Sequence, residues 1–291
     1  MKKIIILGGG GYLGYHLAKL CLKKNMKVIC YDLKLERKIN HKNFIFKKAS
    51  ILDKKKLDNT IKKKNIVFHF AAIAGLEDAN ENHLKTLKIN IEGTINVLET
   101  CIKNKAQKII YSSSIYARSK QGGFYSTSKL TSELLIERYH EKFGINYNIL
   151  RFGSLYGSVG NKFNSIHKII KDSIFRKKII ISAKGNEIRN YIHVNDAVKI
   201  CFEIISNRFN NRYFNLIGRK KIKIKNVVET IANLLKIKKY SFVPKRQISH
   251  NYIKNPNTLK INPGINKYPK KEINFLDGIK DAIYLVKNNL N

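Results

Sequence analysis

At 291 residues, 43% of them hydrophobic, the chain is long enough to bury a large core in one or two domains. Its formal net charge of +37, from 57 Lys and Arg against 20 Asp and Glu, points at face value to nucleic acid or an anionic membrane. The lysines are spread along the whole chain with no basic–aromatic ladder and no zinc-ligand spacing, so the charge reads as a compositional bias: neither nucleic acid nor membrane is the expected partner, and no metal site is expected.

The first element is the apolar run Ile4-Ile5-Ile6-Leu7, suited to a strand buried on both faces of a parallel sheet. Glycines end it too soon for a secretory signal, and no later stretch approaches membrane-spanning length, so a cytoplasmic location is expected. Behind it stands Gly8-Gly9-Gly10-Gly11-Tyr12-Leu13-Gly14, and then Leu13, Leu17, Leu20 and Cys21 recur at helical spacing. Strand, glycine turn and helix in that order are the setting of a dinucleotide cradle. Gly8 permits the tight turn, Gly11 lets backbone approach a pyrophosphate, and Gly14 lets the helix lie close on the sheet. The helix start at Tyr12 and Leu13 offers free N–H groups and a partial positive charge.

A second strand ends in Asp32, eighteen residues after Gly14. A carboxylate there accepts both adenosine-ribose hydroxyls and repels a 2′-phosphate, which favours NAD over NADP; Lys34 and Arg37 act against that preference. Further strand-like runs lie at 44–46, 66–72, 108–112 and 147–152, separated by helical patterns at about 53–63, 84–104 and 126–143. This alternation implies right-handed crossovers and a parallel sheet. Beyond Gly157 the spacing predicts a helix near 162–176, strands at 179–182, 191–194 and 213–217, and helices at 195–206, 225–236 and 276–289, with an ordered loop at 255–269. The four cysteines show no CxxC or metal spacing and read as small core residues.

Within this frame Tyr125-Ser126-Thr127-Ser128-Lys129 follows the cluster Ser112-Ser113-Ser114. Tyr125 and Lys129 are four apart at the start of a helix and share a face. A nearby ammonium and an oxidised nicotinamide ring favour the phenolate, and bringing a phenol from about 10 toward neutrality needs roughly 4 kcal/mol. Tyr125 can then take the proton of a substrate hydroxyl while hydride leaves the same carbon, with Ser114 holding the substrate oxygen. Counting from the strand favours Ser114 as the catalytic serine, with Ser113 second and Ser112 facing the cofactor.

These residues resemble the extended short-chain dehydrogenase/reductase family, specifically NAD-dependent nucleotide-sugar epimerases and dehydratases. The resemblance includes Val67-Phe68-His69-Phe70-Ala71-Ala72, which is similar to the family's cofactor-lining fourth strand. It extends to Asn90 in Lys88-Ile89-Asn90-Ile91-Glu92-Gly93-Thr94 and to Arg151-Phe152-Gly153-Ser154-Leu155-Tyr156-Gly157, where the family's chain passes from cofactor to sugar nucleotide. It therefore implies cofactor contacts from Phe70, Ala71, Ala72, Asn90 and Phe152, and substrate contacts from Ser154 and from Arg189, whose guanidinium suits a pyrophosphate. His193 is implied to be a structural hydrogen bonder. Ser50-Ile51 stands where the family has Asp-Ile beside the adenine, and Ser154 replaces the family's asparagine. Family dehydratases carry Asp-Glu after the catalytic Ser or Thr; here Ile115 and Tyr116 follow Ser114.

The expectation is an α/β protein: a Rossmann doubly wound parallel sheet over 1–157 plus about 187–207, and a smaller C-terminal substrate domain from about 158–186 and 208–291. The expected activity is that of an NAD-dependent nucleotide-sugar epimerase acting through Ser114, Tyr125 and Lys129, as a homodimer. A keto-sugar reductase is the alternative enzyme and a nucleotide-binding regulatory protein the alternative without catalysis.

Overall fold

The computed structural model describes residues 3–119, 121–157, 165–181, 183–243 and 263–288. The chain begins β1 (Lys3–Leu7), α1 (Tyr12–Lys23), β2 (Lys27–Asp32), β3 (Phe44–Lys48), α2 (Lys54–Thr60) and β4 (Ile66–His69). It continues through α3 (Leu76–Glu81), α4 (His83–Leu87), a π-helical turn at Lys88–Glu92, α5 (Gly93–Lys103), β5 (Lys108–Ser114), α6 (Gly123–Phe143) and β6 (Tyr147–Phe152). The remainder forms β7 (Ser154–Tyr156), α7 (Ser165–Arg176), β8 (Ile179–Ile181), β9 (Ile188–His193), α8 (Val194–Glu203), β10 (Arg212–Leu216), β11 (Lys221–Lys223), α9 (Ile224–Leu235), β12 (Tyr240–Phe242), β13 (Ile265–Asn266) and α10 (Phe275–Asn288).

The central sheet has eight strands in the order β13-β10-β6-β5-β4-β1-β2-β3. All its pairs are parallel. The unbroken apolar character of β1 follows from its place in the middle. Ile4 and Ile6 pack with α1 and α8 residues such as Leu17 and Ile200, while Ile5 and Leu7 pack on the other side with Leu57, Val97 and Ile136. A third core, built on Ile170, Val227, Ile231 and Ile279, holds the smaller C-terminal layer together. That layer contains the sheet β11-β9-β7 and the pair β12-β8. The four cysteines are free and buried. No described helix is long and apolar enough to cross a membrane.

Several elements differ from the sequence expectation. Strand β10, expected in the smaller domain, pairs with β6 in the central sheet, while β9, expected with the larger unit, pairs with β7 and β11. From the 187–207 segment, α8 packs on the central layer, joined by Ile192 of β9 and by Ile204 and Ile205. The helical pattern at 84–104 is broken by the π turn, and α3 is an additional helix. Strand β4 stops at His69. Residue 182, residues 162–164, residue 289 and the 255–262 part of the expected loop lie outside the described residues.

Candidate active site

Because the central strands are parallel, the ends of β1, β2, β4, β5 and β6 open onto one edge, where ligands of such sheets bind. After β1 the chain turns at Gly8, whose φ of +83° favours glycine. A Cβ there would lie 2.5 Å from the Ala71 amide nitrogen, so the turn also needs the absence of a side chain. A Cβ on Gly14 would lie 2.3 Å from the Gly8 carbonyl oxygen, which fixes α1 tightly against the loop. Gly11 is different: its Cβ would meet only the Gly8 oxygen at 3.5 Å, an ordinary contact. That open side faces no protein group that would require glycine, as expected of a position reserved for a phosphate.

Helix α1 has Gly11 as its N-cap, no side-chain cap and no acidic residue in its first turn. Its first amides are therefore left to an anion. The Tyr12 hydroxyl is buried without a hydrogen-bond partner among the described residues, and Leu13 packs on the core below. The Asp32 carboxylate accepts from the Gly10 amide at 2.9 Å and from the Leu33 amide at 2.7 Å. Burial raises its pKa, opposed by those amides. Of the two cations expected to act against it, Lys34 pairs with Glu36 at 3.2 Å and Arg37 lies 5.6 Å from the centre of the Tyr15 ring. These observations fit a dinucleotide: a capless helix start, an orphaned hydroxyl and a carboxylate at the end of β2.

Around the rim, the Ser50 hydroxyl accepts from the Leu52 amide at 3.2 Å, so the residue at the family's aspartate position closes its own turn. Ile51 is buried and fills the space above Gly93, where a Cβ would fall 2.4 Å from its Cδ1. Phe70 meets Phe152 edge-to-face at 6.4 Å between ring centres, and Ala71 and Ala72 are half-buried beside them.

Asn90 is held by the protein around it. Its side chain is 1% exposed and is taken up by protein: Oδ1 accepts from the Ile73 amide at 2.8 Å, and Nδ2 donates to the Ile73 carbonyl and to Ser128 Oγ. It ties the loop after β4 to α6. Its own carbonyl takes the Thr94 and Ser132 hydroxyls at the π turn.

The three serines of β5 separate by strand alternation. Ser112 donates to the His69 carbonyl at 3.2 Å, whereas Ser113, on the opposite face, donates to the buried Glu133. Ser114 stands at the strand end, accepts from the Tyr116 amide at 3.2 Å, and lies near enough to the Tyr125 phenol to act on its pKa. Lys129 donates to the Ser112 carbonyl at 2.7 Å and lies 4.7 Å and 5.8 Å from the ring centres of Tyr111 and Tyr125. Ser114, Tyr125 and Lys129 are therefore brought together, and Ser113 is turned away from them.

The electrostatics run against one expectation. Burial pushes the Tyr125 phenol up to about 12, with the nearby Ser114 hydroxyl pulling the other way. Burial likewise pushes Lys129 down to about 7, and His69 down to about 3. The protein alone therefore does not favour the phenolate; it supplies a dry pocket in which an added positive charge acts strongly.

On the substrate side, Ser154 in β7 pairs with Tyr191 in β9; burial raises the Tyr191 phenol pKa and the Arg189 guanidinium two residues earlier opposes that rise. His193 Nδ1 accepts from the Asn195 amide at 3.2 Å, capping α8, which is the structural role the resemblance implies. Sequence reading missed Asn80, whose Oδ1 accepts from the Phe124 amide at 3.0 Å and caps α6 just before Tyr125. It also missed the Glu133–Arg151 pair, whose members are too far apart in the chain for any spacing rule. A cavity of about 240 Å³ between β3 and α2, lined by Tyr31, Lys47 and Lys56 among others, contains none of the singled-out residues. Among the described residues, no group of three or more His, Cys, Asp or Glu could hold a metal.

The model of the NAD dependent epimerase/dehydratase family matches residues 4–217, spanning both the glycine loop and the serine–tyrosine–lysine cluster. The chain belongs to that family. NAD is accordingly its cofactor. Its relatives include a dTDP-D-glucose 4,6-dehydratase from Dictyostelium discoideum, 33% identical over 242 residues, 70% of this chain and 55% of the relative. An uncharacterized UDP-glucose epimerase, YtcB of Bacillus subtilis (strain 168), is 28% identical over 80% of this chain and 82% of its own. The UDP-glucose 4-epimerase of Thermotoga maritima, solved with UDP-glucose, superposes with a TM-score of 0.84 at 21% identity, covering 99% of this chain and all of that one. That likeness establishes a shared fold.

Proposed function

We propose that this family member is an epimerase of nucleotide sugars, working through Ser114, Tyr125 and Lys129. The observation that carries this reading is the meeting of those three side chains at the strand edge onto which the glycine cradle also opens. Bound NAD would accept hydride from a sugar carbon and return it to the opposite face. Tyr125 takes the proton of the sugar hydroxyl and later gives it back. Ser114 steadies the sugar oxygen. Lys129, when charged, makes the phenolate accessible. Each is asked for only part of the barrier, since a positioned acid–base group contributes about 10²–10⁴-fold.

The cofactor contacts assigned to Gly8, Gly11, Tyr12, Leu13, Asp32, Ser50, Ile51, Phe70, Ala71, Ala72, Asn90, Ser112 and Phe152 belong to the same proposal. So do substrate contacts from Ser154 and Arg189, with a nucleoside diphosphate as the common handle and UDP the first to try, since relatives are named for UDP-glucose. A dehydratase is disfavoured by the two residues after Ser114. Ile115 and Tyr116 are buried with Leu76 and Ile217 and present no carboxylic acid to a leaving hydroxyl. A homodimer is proposed through the exposed apolar residues Leu84 and Leu134 on the α4 and α6 surface.

Denaturing the purified protein and identifying what is released tests the reading. NAD together with a nucleotide sugar is the expected result. Release of NADP, or of a nucleotide without a sugar, would contradict it.

A further inference from the structure

Behind Lys129 lies a fully buried ion pair that the proton-transfer scheme does not use. Glu133 sits one helical turn beyond Lys129 on α6, so the two side chains leave the helix on the same face. Its carboxylate takes Arg151 of β6 at two points, Nε to Oε1 at 2.8 Å and Nη2 to Oε2 at 2.6 Å, and also accepts the Ser113 hydroxyl. The two charged side chains are 0% and 1% exposed. Arg151 in turn lies 4.7 Å from the centre of the Tyr213 ring on β10.

A buried pair of this kind is an inefficient source of stability. Desolvation cancels much of the attraction, and well-packed apolar residues of similar volume often serve as well. Its placement is more telling. Lys129 bonds the carbonyl of Ser112 and Glu133 bonds the hydroxyl of Ser113, so successive turns of α6 are tied to successive residues of β5, immediately before Ser114.

The titratable groups that face Lys129 are Tyr125 and Glu133 from α6, Tyr111 from β5 and His69 from β4, with Arg151 of β6 behind Glu133. The charged side chains of α3, α4, the π turn and α5 are exposed. His69 is kept neutral by burial, which leaves Glu133 as the anion of the set.

We propose that Glu133 is a positioning residue of the proton-transfer site: clasped by Ser113 and Arg151, it fixes the register of α6 on β5 and supplies the negative charge that keeps Lys129 an ammonium ion. Burial alone drives Lys129 toward the neutral amine, and Glu133 acts in the opposite direction. A neutral amine could not favour a Tyr125 phenolate. The inference rests on the proposed roles of Tyr125 and Lys129, but its test reads Lys129 without substrate, so each can fail separately.

The protein is labelled with ¹³C at the lysine ε-carbons and titrated by NMR. The Lys129 signal is the one absent from a Lys129→Arg variant, and it is expected to titrate at about 7, well away from ordinary lysines at about 10.4. In Glu133→Gln, which keeps an acceptor for Ser113, the Lys129 midpoint is expected to fall by about one pH unit or more. If that variant does not fold, the paired replacement Glu133→Met with Arg151→Met carries the same readout with a smaller expected fall, because the opposing Arg151 charge goes as well. An unchanged or raised midpoint in the folded variant would overturn the proposal. An activity other than epimerisation, with the midpoint shifted as expected, would leave it standing.

Discussion

The carboxylate of Asp32 accepts a hydrogen bond from the amide of Gly10 at 2.9 Å, so the acidic end of β2 and the glycine loop after β1 form one unit. Asp32 therefore shapes the loop, and in the proposed function it also accepts from the adenosine ribose. Replacing it by alanine is expected to weaken NAD binding by tenfold or more, since hydrogen bonds to a charged group contribute about 1.5–3 kcal/mol. NADP binding should suffer less, because the repulsion of a 2′-phosphate goes as well. Calorimetric titration of both nucleotides checks this. An unmodified protein that prefers NADP would contradict the assignment and direct attention to Arg37.

Gly14→Ala tests the close approach of α1. The added Cβ falls 2.3 Å from the Gly8 oxygen and 2.7 Å from the Gly9 Cα, both backbone atoms that cannot swing aside. A loss of about 1–3 kcal/mol of stability is expected, as for other overpacked sites, together with weaker NAD binding. Chemical denaturation and nucleotide titration measure the two effects. A variant with unchanged stability and affinity would show that the helix has room to move.

The Rossmann half was legible because its signals are local. A run such as Ile4 to Leu7, a glycine loop and Asp32 each declare themselves within a few residues, and burial of β1 on both faces explains the run. The pairing of Tyr125 with Lys129 was legible for the same reason. What was hidden depends on contacts between distant segments. The π turn interrupts a pattern whose apolar spacing is continuous, because Asn90 is drawn to Ile73 and Ser128. Short α3 carries too few apolar residues to show a period. Strand β10 reads the same whichever sheet it joins. The raised Tyr125 pKa comes from burial, which the sequence around it does not reveal.

The buried lysine makes a prediction about pH. Its pKa falls from 10.5 to about 7 on folding. Between those values the unfolded chain binds the extra proton, so stability rises with pH across that window and the cost of burying Lys129 is greatest below it. Lys129→Met is therefore expected to stabilise the protein at about pH 6, with the gain shrinking toward about pH 10. Urea denaturation of both proteins at each pH provides the comparison. A gain that is constant or grows with pH would contradict the assignment.

Tyr125→Phe keeps the ring that packs beside Ile115 and Tyr116 and removes the proton carrier. Turnover is expected to fall by about a hundredfold or more, with NAD affinity and stability largely retained. Steady-state rates and nucleotide titration on the same preparation separate the two. Near-normal turnover would move the acid–base role to another group.

In the proposed function the site oxidises and re-reduces a sugar carbon without net change. This is tested most directly by incubating the protein with UDP-, GDP- and dTDP-hexoses, no cofactor added beyond that purified with it, and following products by mass and chromatography. The result expected is an isomer of unchanged mass. A product lighter by one water, with the alkaline absorbance of a 4-keto-6-deoxy sugar, would contradict the account and place the protein with the dehydratases.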